Sequence, residues 1–225
     1  MTLSDVSNVA ERAKQSLGGS SDPVYQMVNR AISQLSSGGV LVDVGCGSGR
    51  LWSFISDRVD RYLGVDVVRY DGLPEGIEFI PFDLDSGKVS LADGSADLVC
   101  AVEVIEHLEN PRAFVRELLR LAKPGGFVIV TTPNQLSLLS KLTFILKNQF
   151  NAFQEAPGLY PAHITALLEI DLIRIFTESG LTNIQINYSN VSRIPFTPWY
   201  WPKSLGLGDR SFSDNILCMG QKSNS

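Results

Sequence analysis

The segment Val40 to Gly49, VLVDVGCGSG, passes from a short β-branched and leucine run straight into a glycine cluster. Its first half reads as a buried strand and its second as a tight turn opening a helix, since glycines let backbone approach a ligand closely. Outward from it, apolar runs of strand length recur at Tyr62 to Val65, Ile77 to Pro81, Asp97 to Val102 and Phe127 to Thr131. Helical spacing of apolar residues marks Pro23 to Leu35, Leu51 to Val59 and Pro111 to Ala122. In the last of these Asn110 is placed to accept from first-turn amides, Pro111 suits the first helical position, and Lys123 to Gly126 ends the helix. Strands separated by helical crossovers predict a mainly parallel sheet covered on both faces.

Downstream, Gln135 to Phe150 (QLSLLSKLTFILKNQF) is long, amphipathic and rich in leucine. It reads as an extra helix packed on the body, a lid over a cleft, or a patch that touches a membrane. Ile170 to Ser179 is a further helix ending at Gly180, and Ile184 to Tyr188 and Asn215 to Gly220 read as two more strands. The loop between them, IPFTPWYWP from Ile194 to Pro202, has too many prolines for a sheet interior and concentrates aromatics. Without repeats or low-complexity segments, one domain accounts for residues 1–225: a helical segment over 1–37, a ligand-binding core over 38–134, a helical insertion or lid over 135–163, and a helix with strands over 164–225.

A net charge of −5 gives no broad positive field, so nucleic acid is an unfavoured partner and a neutral or cationic small molecule is easier to accommodate. Cys46, Cys100 and Cys218 are scattered, two of them in apolar strand-like contexts, as expected for reduced thiols in a cytoplasm. Met1 to Asp5 lacks the pattern of a signal peptide, and no apolar run approaches the ~18 residues of a spanning helix. Peripheral membrane contact through the leucine-rich segment stays open, as does the oligomeric state.

The glycine loop alone is weak, since dinucleotide enzymes and plain turns share it. Its neighbours are sharper. Asp66 ends the second strand 17 residues after Gly49, where an acid can accept from both hydroxyls of a ribose. Asp43, just before the loop, would repel a pyrophosphate but suits a ligand carrying a positive amine. That sign favours S-adenosylmethionine over a nicotinamide dinucleotide.

From about Val40 to Asn134 the sequence resembles the class I S-adenosylmethionine-dependent methyltransferases, through VDVGCGSG, YLGVD, PFDLD, LADGSADLVCAVEVIEHLENP and LAKPGGFVIVTTPN in order. The resemblance implies an α/β, Rossmann-like seven-stranded sheet, mostly parallel with an antiparallel last strand from Asn215 to Gly220, and helices on both faces. It implies that Asp43, Gly45 and Gly47 line the methionine portion of the cofactor, Asp66 holds the ribose, and Asp83 with Leu84 meets the adenine edge. Gly49, Val67 and Val102 complete that lining. The alternative for Asp83 and Asp85 is a solvated turn.

The phrase AVEVIEHLENP, Ala101 to Pro111, puts two carboxylates and one of only two histidines at the end of the fourth strand, where open α/β sheets place their ligands. If a helical turn starts after Val102, Glu103, Glu106 and His107 share a face at i, i+3 and i+4. Two carboxylates there need a positive neighbour, a proton or screening water. His163 lies downstream, where the fold could return it to the same cleft. Glu103, Glu106, His107 and His163 suit a divalent ion, Mg²⁺ or Mn²⁺ by the carboxylates and Mn²⁺, Fe²⁺ or Zn²⁺ by the imidazoles. The E-x-x-E-H pattern is similar to that of small-RNA 3′-terminal 2′-O-methyltransferases and ubiquinone-pathway O-methyltransferases. Two other readings stand beside the metal: His107 or His163 as general base with Glu106 beside them, or Glu106 and His107 merely stabilising the turn.

A methyl on a sulfonium is transferred by in-line displacement, so the protein must align and desolvate the pair, and a hydroxyl acceptor needs a base or a cation. The expected function is O-methylation of a small-molecule, sugar or lipid-linked hydroxyl. An RNA 3′-end ribose methyltransferase and a non-catalytic S-adenosylmethionine-binding protein are the alternatives. The acceptor pocket falls to Gln135 to Tyr160 and Phe196 to Trp201, with Phe153, Tyr160, Trp199, Tyr200 and Trp201 as stacking candidates, or as cover for a sheet edge.

Overall fold

Seven strands form the centre of the chain: β1 (Val40–Val44), β2 (Arg61–Asp66), β3 (Ile77–Pro81), β4 (Ala96–Val102), β5 (Ala122–Pro133), β6 (Leu181–Tyr188) and β7 (Asn215–Lys222). The structure, a computed structural model, describes residues 18–84, 86–154 and 163–224. The strands make one sheet in the order β3-β2-β1-β4-β5-β7-β6. All pairs from β3 to β5 are parallel, and β7 runs antiparallel to both β5 and β6. The expected class I methyltransferase architecture is what the chain adopts, with the last strand reversed.

Alternation along the central strands sends side chains to two cores. Val42, Val44, Val99, Ala101, Val128 and Val130 face α3 (Pro111–Leu121) and α5 (Glu169–Ser179), which bury Phe114, Leu118, Leu172 and Phe176 against them. Leu41, Cys100, Val102, Ile129 and Leu217 face the other way, onto α1 (Asp22–Ile32) and the short α2 (Trp52–Ile55). Strands buried on both faces explain the unbroken apolar runs in the sequence. All three cysteines are buried and free.

Several boundaries differ from the sequence expectation. The helix expected over 51–59 shrinks to α2, because the chain turns early to reach β2: Asp60 Oδ2 accepts from Gly39 N at 2.7 Å, and Gly39 O accepts from Asp60 N at 2.9 Å. The 123–126 segment does not simply end α3. It bulges within β5, which starts at Ala122, so that Ala96 pairs with Ala122 but Leu98 pairs with Phe127. The expected 135–150 helix is α4 (Leu138–Lys147), capped by Ser137, whose side chain accepts from Ser140 N, and ended by Asn148 in the left-handed region. Asn110 does cap α3, accepting from Ala113 N at 3.0 Å.

Candidate active site

The turn after β1 is built from backbone that only glycine takes easily. Gly45 and Gly47 have φ of 81° and 53°, and a Cβ at Gly45 would overlap the side chain of Val104, while one at Gly47 would fall on the carbonyl oxygen of Gly18. Val104 thus packs directly over the loop, which brings the turn after β4 against the turn after β1. The amides of this loop are all engaged. Gly45 N and Cys46 N donate to Val65 O, Gly47 N to Asp66 Oδ2, Ser48 N to Gly18 O and Gly49 N to Cys46 O. With those donors engaged and α2 only four residues long, this is no phosphate cradle.

The two loop acids differ in state. Asp66 is buried, and its oxygens accept from Gly47 N at 2.8 Å and Val68 N at 3.1 Å. Burial raises its pKa against those amide bonds. Asp43 accepts from Tyr62 Oη through one oxygen, while its buried Oδ1 has no hydrogen bond among the described residues. Burial, and secondarily the nearby Asp66, push its pKa up to about 7. A buried acceptor lacking a donor, beside a loop without anion-binding amides, fits a ligand that brings a positive amine. Tyr25 of α1 closes this side, its Oη accepting from Ser20 N at 2.8 Å. Val67 follows Asp66 half-buried, Val102 is packed in the α1-side core, and Leu84 leans on the opposite core beside a cavity of about 110 Å³ also lined by Phe82, Leu108, Phe114 and Glu117. Asp83 lies just beyond β3, its carbonyl accepting from Ser86 N at 2.9 Å, and Asp85 lies outside the described residues.

After β4 the shared helical face does not form. Glu103 sits in the left-handed region at φ 55°, and only Ile105–His107 makes a 3-10 turn. Glu103 is held instead by Asn215 Nδ2 at 2.7 Å and Thr131 Oγ1 at 3.1 Å. Its backbone N donates to the same Thr131 hydroxyl at 2.9 Å. Burial pushes its pKa up to about 7 despite both bonds. Glu106 is fully buried, neither carboxylate oxygen has a hydrogen bond among the described residues, and the hydroxyl of Thr132, equally unbonded, faces it. Burial first, then the charge of Glu103, holds Glu106 well above the usual carboxylate range.

His163 is returned to this turn as expected. Ile164 N and Thr165 N donate to the backbone carbonyl of Glu106 at 2.9 and 3.0 Å, fixing the returning chain. His163 Nδ1 bonds Ala152 O at 2.8 Å, so that nitrogen carries the proton and Nε2 presents its lone pair, 4.0 Å from Glu106 Oε1. The rings of His107 and His163 lie 4.8 Å apart, edge to face. One donor atom each from Glu106, His107 and His163 falls within 4.8 Å of the others, and Glu103 is not part of that set. Burial lowers the pKa of His163. Of the acceptor-pocket candidates, Phe153 stands 5.4 Å from the His163 ring, Trp201 meets Phe212 edge to face, Trp199 and Tyr200 are exposed, and Tyr160 lies outside the described residues. Thr131, Asn215 and Tyr25 join the site without any signal in the sequence, being ordinary strand and helix residues until the fold assembles them.

A family model described as "Methyltransferase domain" matches residues 22–186, from α1 through most of β6. The chain belongs to the methyltransferase domain family. Among relatives of this methyltransferase domain, a Mycolicibacterium smegmatis protein named "Probable S-adenosylmethionine-dependent methyltransferase" is 27% identical over 173 residues, 73% of this chain and 65% of that protein. A ubiquinone biosynthesis O-methyltransferase of Bordetella avium is 27% identical over 182 residues, 68% of this chain and 74% of that protein. The match to the mycobacterial protein thus spans just under two thirds of its length. The solved structure of a SAM-dependent methyltransferase from Archaeoglobus fulgidus superposes with a TM-score of 0.63 at 18% identity, covering 93% of this chain and 97% of that one. The family match, the relatives and the fold make this a class I S-adenosylmethionine-dependent methyltransferase domain.

Proposed function

We propose that this methyltransferase domain moves a methyl group from S-adenosylmethionine to a hydroxyl oxygen of a small molecule, sugar or lipid-linked acceptor, at the cleft between the β1 loop and the β4 turn. The observation that carries it is Glu106: a buried carboxylate with no hydrogen bond among the described residues, 4.0 Å from the lone-pair nitrogen of a histidine locked by Ala152. Such a group is costly to bury unless it serves a proton or a cation. Oxygen is favoured as acceptor because a hydroxyl needs that help. The Bordetella relative's name as an O-methyltransferase supports the same choice.

S-adenosylmethionine supplies an electrophilic methyl on a positively charged sulfur. Asp43 Oδ1 would accept from the ligand's amine, Asp66 from the ribose hydroxyls through lone pairs its amide bonds leave free, and Asp83 with Leu84 would stand along the adenine edge. An acceptor oxygen would have to be aligned opposite the C–S bond, whose electron pair would stay on sulfur, and its proton would have to be taken up by the protein. His163 Nε2, or His107 beside it, would take that proton. Alternatively Glu106, His107 and His163, with Glu103 near them, would hold a divalent cation such as Mg²⁺, Mn²⁺ or Zn²⁺. Such an ion would lower the acceptor's pKa and position it. What favours the cation is the Nδ1–carbonyl bond, the usual way a ligating histidine is oriented. A metal-bound Nε2 cannot also accept the proton, so the readings are exclusive at His163.

The test is incubation of purified protein with methyl-labelled donor and fractions of cell extract, followed by elemental analysis with and without chelator. Label recovered as a methyl ether, and lost in His163→Ala and Glu106→Gln with donor binding intact, is the expected result. Label on nitrogen or carbon would overturn the acceptor class. Label on RNA would favour ribose methylation, and donor binding without any transfer a non-catalytic role.

A further inference from the structure

Helix α4 is turned inside out for a helix that meets water. It buries Ser140 and Thr143 along with Leu139, over buried Asn134, Gln135 and Ser137. Thr143 Oγ1 donates to Leu139 O at 2.8 Å, and Ser140 Oγ accepts from Asn151 N at 3.2 Å. Its outer face instead carries Phe144, Ile145 and Leu146, the last two 72% and 63% exposed, flanked by exposed Lys141 and Lys147. Scattered exposed leucines need no explanation, but a helix that hides hydroxyls and shows three consecutive large apolar side chains does.

A second apolar projection stands at the same end of the sheet. Ile194 N donates to Trp199 O at 2.8 Å and Trp201 N to Ser192 O at 3.0 Å, closing a small hairpin whose tip holds Phe196 and Trp199, each 70% exposed. Asp214 anchors the hairpin by accepting from Ser192 Oγ at 2.8 Å and Arg193 N at 3.1 Å. Helix α4 follows the carboxyl end of β5, and the hairpin joins the carboxyl end of β6 to the start of antiparallel β7. Both therefore leave the sheet on the cofactor side, and Leu138 N donates to Ser211 O at 2.8 Å to tie α4 to the segment that carries the hairpin.

Charge separates these segments from the rest of the chain. The sequence carries 24 acidic residues and a net charge of −5, yet none of the acids falls between 118 and 154 or between 179 and 208. Lys141 and Lys147 lie within α4, and Arg193 stands at the base of the hairpin, 3.8 Å from Asp214.

We propose that the outer face of α4 and the tip of the 192–201 hairpin dock onto the surface of an anionic lipid bilayer. Aliphatic and aromatic side chains ringed by lysine and arginine match the headgroup boundary, where tryptophan and tyrosine settle and cations meet lipid phosphates. Ile145 and Leu146 would gain nothing from stacked nucleobases, which argues against RNA. A second copy would set Lys141, Lys147 and Arg193 against themselves, which argues against a symmetric dimer. That the acceptor enters from the bilayer rests on the function proposed above. Side-chain contacts lead from that face toward the site: Phe144 of α4 stacks on Phe150 at 5.0 Å, and Phe153 and Ala152 just beyond touch His163.

The experiment is sedimentation of the full chain with vesicles of phosphatidylcholine alone or with about a third phosphatidylglycerol, read without turnover. Binding to the anionic vesicles, weakened by salt and reduced about tenfold or more in Ile145→Glu and in Trp199→Glu, is the expected result. S-adenosylmethionine affinity retained by calorimetry certifies that each variant is folded. Wild-type protein left in the supernatant of anionic vesicles, variants that sediment like wild type, single-stranded RNA that displaces the protein from vesicles, or a wild-type dimer lost in Ile145→Glu would each overturn it. Vesicle binding together with transfer only to water-soluble acceptors would keep the docking face and remove delivery from the bilayer.

Discussion

The amide of Asn215 donates to the carboxylate of Glu103 across 2.7 Å, although 112 residues separate them. The bond links the first residue of the reversed last strand to the turn after β4, and it holds a residue whose backbone lies in the left-handed region. Asn215→Ala should leave Glu103 with Thr131 alone. Turnover is expected to fall about tenfold, roughly the loss of one hydrogen bond to a charged group, with donor affinity unchanged. Steady-state kinetics beside calorimetry read both.

Strain at Glu103 gives a separate expectation for stability. A left-handed conformation costs a side-chain-bearing residue about 1 kcal/mol or more relative to glycine. Glu103→Gly should therefore unfold in urea at a higher midpoint than Glu103→Ala, although both lack the carboxylate. Equal midpoints would mean that the turn relaxes once the side chain is gone.

Asp66→Ala is expected to weaken S-adenosylmethionine binding by about 1.5 to 3 kcal/mol, the range for hydrogen bonds to a charged partner. The loss has two sources, the ribose contact and the amide of Gly47 that Asp66 also holds. Asp66→Asn should recover part of it. Titration calorimetry on the three proteins, at fixed salt, is the check, and an unaltered affinity in Asp66→Ala would contradict the ribose assignment.

The pKa of Asp43, raised to about 7, makes donor binding sensitive to pH. A cationic amine binds the ionised carboxylate, so affinity should fall toward tenfold per unit as pH drops below about 7. Binding near pH 6 should release a proton, visible as a dependence of the calorimetric enthalpy on the buffer. Asp43→Asn should bind weakly and without that slope.

Glu106 predicts the opposite signs for stability and activity. Because the folded protein holds its proton above the pH where the unfolded chain loses it, the folded state binds more protons in that window and stability falls as pH rises through it. Chelator-treated Glu106→Gln should melt higher than wild type at pH 8, with the gap closing toward pH 5, and it should not turn over. A lower melting temperature at pH 8 would show that the carboxylate already has a partner.

Much of this could be read from the residues in order. Alternating apolar runs and the Asn110-Pro111 cap placed the strands and α3, since those signals are local. The positions of Asp43, the glycines and Asp66 were legible for the same reason: each falls at or just beyond the end of its own strand. The 3-10 turn was not, because E-x-x-E-H spacing fits a helix, and only the packing of Val104 onto Gly45 and the bond to Thr131 force Glu103 out of it. Asn215, Thr131 and Ala152 are invisible in one dimension, as each acts through a partner more than ten residues away. The occupied loop amides were likewise hidden, for a glycine's codon says nothing of what its N–H meets.

Ser48 N reaches the carbonyl of Gly18 at 2.7 Å, a contact made of main-chain atoms on both sides. Alanine at Ser48 would pass over it, since only main-chain atoms meet, whereas alanine at Gly47 would fall on the same carbonyl oxygen. A change of chain path, such as an inserted residue or a proline ahead of α1, would also lift Gly18 off the loop, so kinship in this region is better judged by superposition than by alignment.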